Sequence, residues 1–145
     1  MNKYLKVLLL GSYIWYLGEG LFGPLYAVFA EQVGGDILDL TGAYAVYLIV
    51  TGIASITVGR IADNKSYAKY LMLFGYFLNA AGTFAYLLVD SPIDLFAVQA
   101  TLGIANALAT PTWMEMYASH VDKKFMGREW GFSEGGPSII MGIAI

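Results

Sequence analysis

Three glutamates lie within or beside long apolar stretches of this sequence: Glu19, Glu115 and Glu134. A carboxylate at membrane depth costs about 2.5–3.5 kcal/mol on insertion scales, so it usually faces a cavity or a polar partner. Glu19 is the clearest case, because Gly18 and Gly20 beside it allow a close helix approach or a local break. We expect Glu19 either to face a central cavity and bind a proton or a cationic solute, or to form a structural hydrogen bond with a neighbouring helix.

The other two glutamates are expected to play structural parts. Glu115 is near the inner end of its apolar stretch, which favours an interfacial position. Glu134 is predicted in the first turn of a helix, where the helix dipole and headgroup water favour an anion.

Neutral polar side chains form a second candidate site. Asn106 and Thr110 are four residues apart and share a predicted helix face with Gly103. That face is expected to look inward, towards other helices. The pattern leaves two interpretations open: contact with a solute, or hydrogen bonding that only helps the helices to pack.

The elements that position these residues are apolar segments long enough to cross a bilayer. The chain is 58% apolar and 13% charged, far below the charge of an ordinary soluble domain. Spans of about 20 apolar residues are needed to cross the hydrocarbon. We predict one domain over residues 1–145 with helical spans at about 5–30, 40–62, 70–89, 93–118 and 130–145. The last has only 16 residues, or about 24 Å of helix, and is predicted to be truncated.

The eight Lys and Arg residues indicate which side each loop occupies. They form three clusters, which are separated by two intervals of 53 residues that contain no base: Lys3/Lys6, Arg60/Lys65/Lys69 and Lys123/Lys124/Arg128. Cytoplasmic loops of membrane proteins carry an excess of Lys and Arg. The pattern therefore predicts a multi-pass protein of the cell membrane with a cytoplasmic N-terminus.

Several classes of function are disfavoured by the composition. The chain has no cysteine, so disulfides and thiolate metal sites are excluded, and the single His120 cannot form a histidine metal site alone. We expect no cofactor, no metal and no catalytic residues, because no nucleophile–base pair or cofactor loop is evident. Nucleic-acid binding is not expected, since no folded domain presents a basic face.

The loop between the second and third spans resembles the loop signature of the major facilitator superfamily (MFS). Gly59, Ala62, Asp63 and Leu71 match the signature, and Ile61 is a conservative replacement. Asn64, Ser66 and Tyr67 stand where the family has arginine, glycine and arginine. In the family this loop is a conformational latch with the aspartate at its centre. The resemblance assigns the latch here to Gly59, Arg60, Asp63, Lys65 and Lys69.

The resemblance implies an all-α integral membrane fold, an MFS-like bundle with spans 1–4 and a partial span 5 of the N-terminal half. It implies a secondary active transporter that moves a small molecule by alternating access of two halves, with H+ or another coupling ion and with efflux as one direction. Spans 1 and 4 would line the cavity with Glu19, Gln99, Asn106 and Thr110. Gln99 occupies the place of an arginine found in many proton-coupled members, and a neutral amide cannot tune a carboxylate as a guanidinium does.

The partners implied are the solute, the lipid bilayer and the remaining C-terminal transporter spans, without which we expect no transport. A faint internal repeat supports this architecture, because an offset of 87 residues places Pro24 on Pro111. One alternative is a complete small membrane protein that oligomerises or acts as a scaffold without transport. A membrane enzyme is a weaker alternative that nothing in the sequence supports.

Overall fold

The described residues of the protein form five long α-helices. The computed structural model describes residues 1–63 and 65–145, apart from the side chain of Lys65. The helices are α1 (Lys3–Gln32), α2 (Ile37–Ala62), α3 (Lys65–Ala85), α4 (Pro92–His120) and α5 (Met126–Ala144). Short 3₁₀ turns cover Tyr86–Leu88 and Lys123–Phe125.

Within the described residues, three helical segments are long and apolar enough to cross a membrane: Ile37–Ala62, Ser66–Leu88 and Pro92–His120. Helices satisfy every backbone hydrogen bond within the segment, which the bilayer interior requires. Together with the wholly helical character of the long elements in the described residues, this confirms the all-α membrane fold. The membrane crossings expected at 5–30 and 130–145 fall on α1 and α5, and they stay predictions.

Glycine and aspartate make the turn between α1 and α2. Gly34 adopts a left-handed backbone with φ of 81°, which a residue without a Cβ adopts at little cost. The N–H of Gly35 bonds to the carbonyl of Ala30 at 3.0 Å, which completes the helix C-cap. Asp36 then caps α2 by accepting hydrogen bonds from the N–H groups of Leu38 and Asp39 at 2.8 and 2.9 Å.

The start of α4 shows the same use of short polar side chains. Pro92 is the first helical residue, where its missing N–H costs nothing. The Ser91 hydroxyl donates to the Asp94 carboxylate at 2.7 Å, and the N–H of Asp90 donates to it at 3.3 Å. These acids mark the helix ends that lie opposite the basic clusters in the predicted topology.

The chain divides into two compact units, which are described separately. The longer unit contains Phe29–Met116 and hence α2, α3 and most of α4. Its helices approach closely at glycines. A Cβ added to Gly75 of α3 would lie 2.8 Å from both the Ala105 oxygen and the Ala109 nitrogen of α4. A Cβ on Gly103 of α4 would lie 2.8 Å from the backbone carbonyl oxygen of Tyr47 on α2. Glycines therefore allow the close approach of α3 to α4 and of α2 to α4.

The other unit joins Met1–Val28 to Tyr117–Ile145, so it contains most of α1, the end of α4 and α5. The Tyr13 hydroxyl of α1 donates to the Phe132 carbonyl of α5 at 2.8 Å. Further along α1, a Cβ on Gly20 would lie only 2.8 Å from the Cβ of Ala144. The helices α1 and α5 are therefore in contact over several turns.

The observed helix bounds follow the 87-residue offset. Shifting α1 by this offset gives residues 90–119, and α4 occupies Pro92–His120. Shifting the start of α2 gives residue 124, and α5 begins at Met126. Pro24 and Pro111 both lie inside their helices, which agrees with their pairing in the repeat.

Candidate functional site

Glu19 lies in the middle of α1 and is bound by a tryptophan of the same helix. The Trp15 Nε1 donates a hydrogen bond to Glu19 Oε1 at 2.7 Å. Residues four apart on a helix lie on one face, so this pair forms without any other element. Trp15 is a partner that sequence reasoning missed, although the spacing of four residues could have indicated it.

The surroundings of Glu19 differ on its two sides. The helix continues through both glycines, so there is no local break. Gly20 packs against Met141 and Ala144 of α5, whereas nothing lies within 4 Å of a Cβ placed on Gly18. The Glu19 side chain is itself exposed on the surface formed by the described residues. Glu19 therefore lies about 24 Å along α1 with its carboxylate accessible.

Asn106 and Thr110 form one hydrogen-bonded network with a tyrosine of α2. The Asn106 amide donates to the Tyr47 hydroxyl at 2.5 Å, and the Thr110 hydroxyl donates to the Asn106 oxygen. One turn earlier on α4, the Gly103 carbonyl accepts a hydrogen bond from the Thr51 hydroxyl of α2 at 3.2 Å. The shared face that the sequence predicts is therefore the contact between α2 and α4.

Gln99 lies on the same helix but has a different partner. Its amide nitrogen donates to the Tyr86 hydroxyl at 3.2 Å, and the side chain is buried. The Tyr86 ring also packs edge-on against Phe29, with centroids 5.3 Å apart. Gln99 thus ties α4 to the 3₁₀ turn after α3, whereas Asn106 ties α4 to α2.

The predicted latch residues lie at the end of α2 and the start of α3. The N–H of Asp63 bonds to the Gly59 carbonyl at 3.2 Å and ends α2. Arg60, Asp63 and Lys69 are exposed, and no ion pair joins their described side chains. Lys65 begins α3, but its side chain and the whole of Asn64 lie outside the described residues.

A buried glutamate, Glu129, was missed because it sits among the bases of the third cluster. It is 1% exposed, and its Oε2 accepts a hydrogen bond from the N–H of Asp122 at 2.9 Å. Its Oε1 lies 3.5 Å from the nitrogen of Met1, and its backbone oxygen accepts from the Tyr117 hydroxyl at 2.5 Å. Glu129 therefore connects the start of α1 with the turn that joins α4 to α5.

The chain is similar to proteins whose names describe them as transporters. A family model described as the Major Facilitator Superfamily matches residues 8–145. An uncharacterized MFS-type transporter of Methanocaldococcus jannaschii is 23% identical over 143 residues, which cover 99% of this chain and 37% of that protein. A protein of Deinococcus radiodurans, provisionally named a sugar efflux transporter, is 33% identical over 116 residues, which cover 79% of this chain and 28% of that protein. No solved structure matches the chain.

These matches decide what kind of protein this is. The chain spans about a third of the length of the two curated relatives. The matched range contains residues 59–71, which carry the resemblance, together with most of α1 and all of the other described helices. The helical membrane fold and the family match agree, and this chain belongs to the major facilitator superfamily.

Proposed function

We propose that this chain is the N-terminal part of a secondary active transporter that carries a small solute across the cell membrane by alternating access. Membership of the superfamily and three helices apolar enough to cross a bilayer support a transporter in general. The proposal adds the alternating access and the remaining spans of the longer protein. The chain alone is expected not to transport.

The observation that carries a solute site in α1 is the exposed carboxylate of Glu19 beside the Trp15 indole. One hydrogen bond from the same helix leaves the second carboxylate oxygen available to a solute hydroxyl, a cation or a proton. For the Asn106–Thr110 face we propose helix packing and not solute contact, because Asn106 already bonds to Tyr47 and Thr110. Gln99 is kept as a proposed residue of the cavity wall on α4, and the argument for Glu19 does not depend on it.

We propose sugar efflux as the first activity to test. The Deinococcus relative carries that provisional name. A tryptophan beside a carboxylate is chemically suited to a sugar, because the indole offers an apolar face and the carboxylate accepts hydrogen bonds from hydroxyls. A cationic solute is the second candidate, because the negative carboxylate of Glu19 would pair with its positive charge.

The test is counterflow by the full-length protein in proteoliposomes. Vesicles loaded with unlabelled sugar would take up the labelled sugar transiently if the protein exchanges it, and a parallel set would use an organic cation. Uptake that depends on a proton gradient would assign the coupling ion. A full-length protein that exchanges neither solute class and forms a stable oligomer would favour the scaffold alternative.

The proposed orientation has its own test. Alkaline phosphatase is active only outside the cytoplasm, so a fusion after Asp36 is expected to be active. Fusions after Lys69 and after Lys124 are expected to be inactive, because the proposed orientation places these exposed bases on the cytoplasmic side. Activity after Lys69 would reverse the orientation and remove the proposed cytoplasmic position of the latch residues Gly59, Arg60, Asp63 and Lys65.

A further inference from the structure

One end of the unit formed by Met1–Val28 and Tyr117–Ile145 collects two of the three basic clusters. The Asn2 amide donates to the His120 carbonyl at 3.3 Å, and the Tyr4 and His120 rings lie 5.2 Å apart. These contacts bring the start of α1 to the turn before α5. The exposed residues gathered there are named the Phe125 patch: Lys3, Lys6, Lys123, Lys124, Phe125 and Arg128.

The acids at this end do not neutralise the bases of the patch. The Asp122 carboxylate accepts the N–H of Lys124 at 2.9 Å and so caps the 3₁₀ turn. The Glu129 carboxylate is buried and accepts the N–H of Asp122. Within the described residues none of the five bases forms an ion pair, so the patch presents their charge to solvent.

An apolar ring lies at the centre of this charge. Phe125 is 40% exposed, and Met126 beside it is 47% exposed. The Arg128 guanidinium carbon lies 4.4 Å from the ring centroid of Phe125, and the Lys124 Nζ lies 5.5 Å from it. Cations held over an aromatic face form a surface that is apolar at its centre and basic around it.

We propose that the Phe125 patch binds the phosphate headgroups of anionic lipids. Bases next to a membrane helix attract anionic lipid, and an exposed apolar ring such as that of Phe125 can enter the boundary between headgroups and acyl chains. The carboxylates of Asp122 and Glu129 already accept backbone N–H groups. The bases of the patch therefore need another anion, and the headgroup phosphate is the one that the membrane supplies. The proposal concerns lipid binding and holds whether or not the protein transports a sugar.

The test compares lipid selectivity of the full-length protein in vesicles of phosphatidylcholine and phosphatidylglycerol. Spin-labelled versions of each lipid report how strongly each associates with the protein. We expect the labelled phosphatidylglycerol to be preferred at low salt and the preference to fall as NaCl screens the charges. The variant Lys123→Gln/Lys124→Gln/Arg128→Gln is expected to lose most of the preference for phosphatidylglycerol. At low ionic strength, the relative association constant should fall by about fivefold for each base removed.

The matched control keeps the charges at the same three positions: Lys123→Arg/Lys124→Arg/Arg128→Lys. It should retain the preference for phosphatidylglycerol, and Phe125→Ala should lower it less than the loss of charge does. An equal preference in the glutamine variant and the wild type would overturn the proposal. So would a preference that free inorganic phosphate abolishes at concentrations where NaCl of equal ionic strength does not, because the patch would then be a site for the free ion.

Discussion

The candidate sites of the two compact units hold their polar groups in different ways. In the unit of Phe29–Met116, the Asn106 amide bridges α4 to Tyr47 of α2, and Thr110 completes the network. In the other unit, Glu19 is bound only by Trp15 of its own helix among the described residues. The first arrangement joins two helices, whereas the second leaves the contact between helices unchanged if the bond breaks.

This difference separates the two interpretations that the sequence left open for each site. A neutral amide that is bonded on both sides by protein groups has little capacity left for a solute. A carboxylate with one donor from its own helix still has free lone pairs. We therefore expect substitutions at Glu19 to change transport more than stability, and substitutions around Asn106 to change stability more than transport.

The largest expected effect is that of Glu19→Gln on transport. A hydrogen bond to a charged group contributes about 1.5–3 kcal/mol, so its loss should lower solute exchange by about 10- to 100-fold. The unfolding temperature should change little, because Glu19 is exposed and contacts no other helix through a hydrogen bond. Counterflow and thermal unfolding of the same preparation measure both quantities.

Glu134→Gln is the matched control, because Glu134 is also an exposed glutamate and lies in the same compact unit as Glu19. We expect it to retain exchange within about threefold, a difference near 0.7 kcal/mol. Equal losses in the two variants would mean that Glu19 acts through general charge and not as a solute contact. Wild-type exchange by Glu19→Gln would remove Glu19 from the proposed site.

The next effect is a loss of stability on Gly75→Ala. The added methyl would meet the backbone of α4 on two sides, and overpacking of this kind typically costs about 1–3 kcal/mol. Gly52→Ala is the control in the same unit, since nothing lies within 4 Å of its Cβ position. It should be neutral or stabilising by about 0.5–1 kcal/mol, because alanine favours the helix. Thermal unfolding that ranks the two variants in the opposite order would contradict the close contact of α3 and α4.

The sequence was sufficient for the elements and insufficient for the contacts between them. Apolar length, turn residues and the gaps between basic clusters predicted the order of the helices, because these depend on local composition. The predicted connection before the third span was too long, since α3 begins at Lys65 and not near residue 70. The partners of Asn106 and Gln99, Tyr47 and Tyr86, depend on how each helix is rotated about its axis, which no local pattern specifies. Glu129 was missed for a related reason: it stands beside Arg128 in a polar segment, and its burial depends on contacts that the local sequence does not specify.

The smallest expected effect is the coupling between Tyr47 and Asn106. Hydrogen bonds between membrane helices contribute about 0.6 kcal/mol on average in double-mutant cycles, because the unfolded state in the membrane also finds partners. Tyr47→Phe and Asn106→Ala should each lower the unfolding free energy, and the double variant should lose less than their sum by about that amount.

Exchange by Tyr47→Phe should stay within about twofold of the wild type, roughly 0.4 kcal/mol. Additive losses would mean that the 2.5 Å contact contributes nothing to stability. A large loss of exchange in Tyr47→Phe with unchanged stability would instead make the α2–α4 network a solute site like Glu19, and the contrast between the two units would not hold.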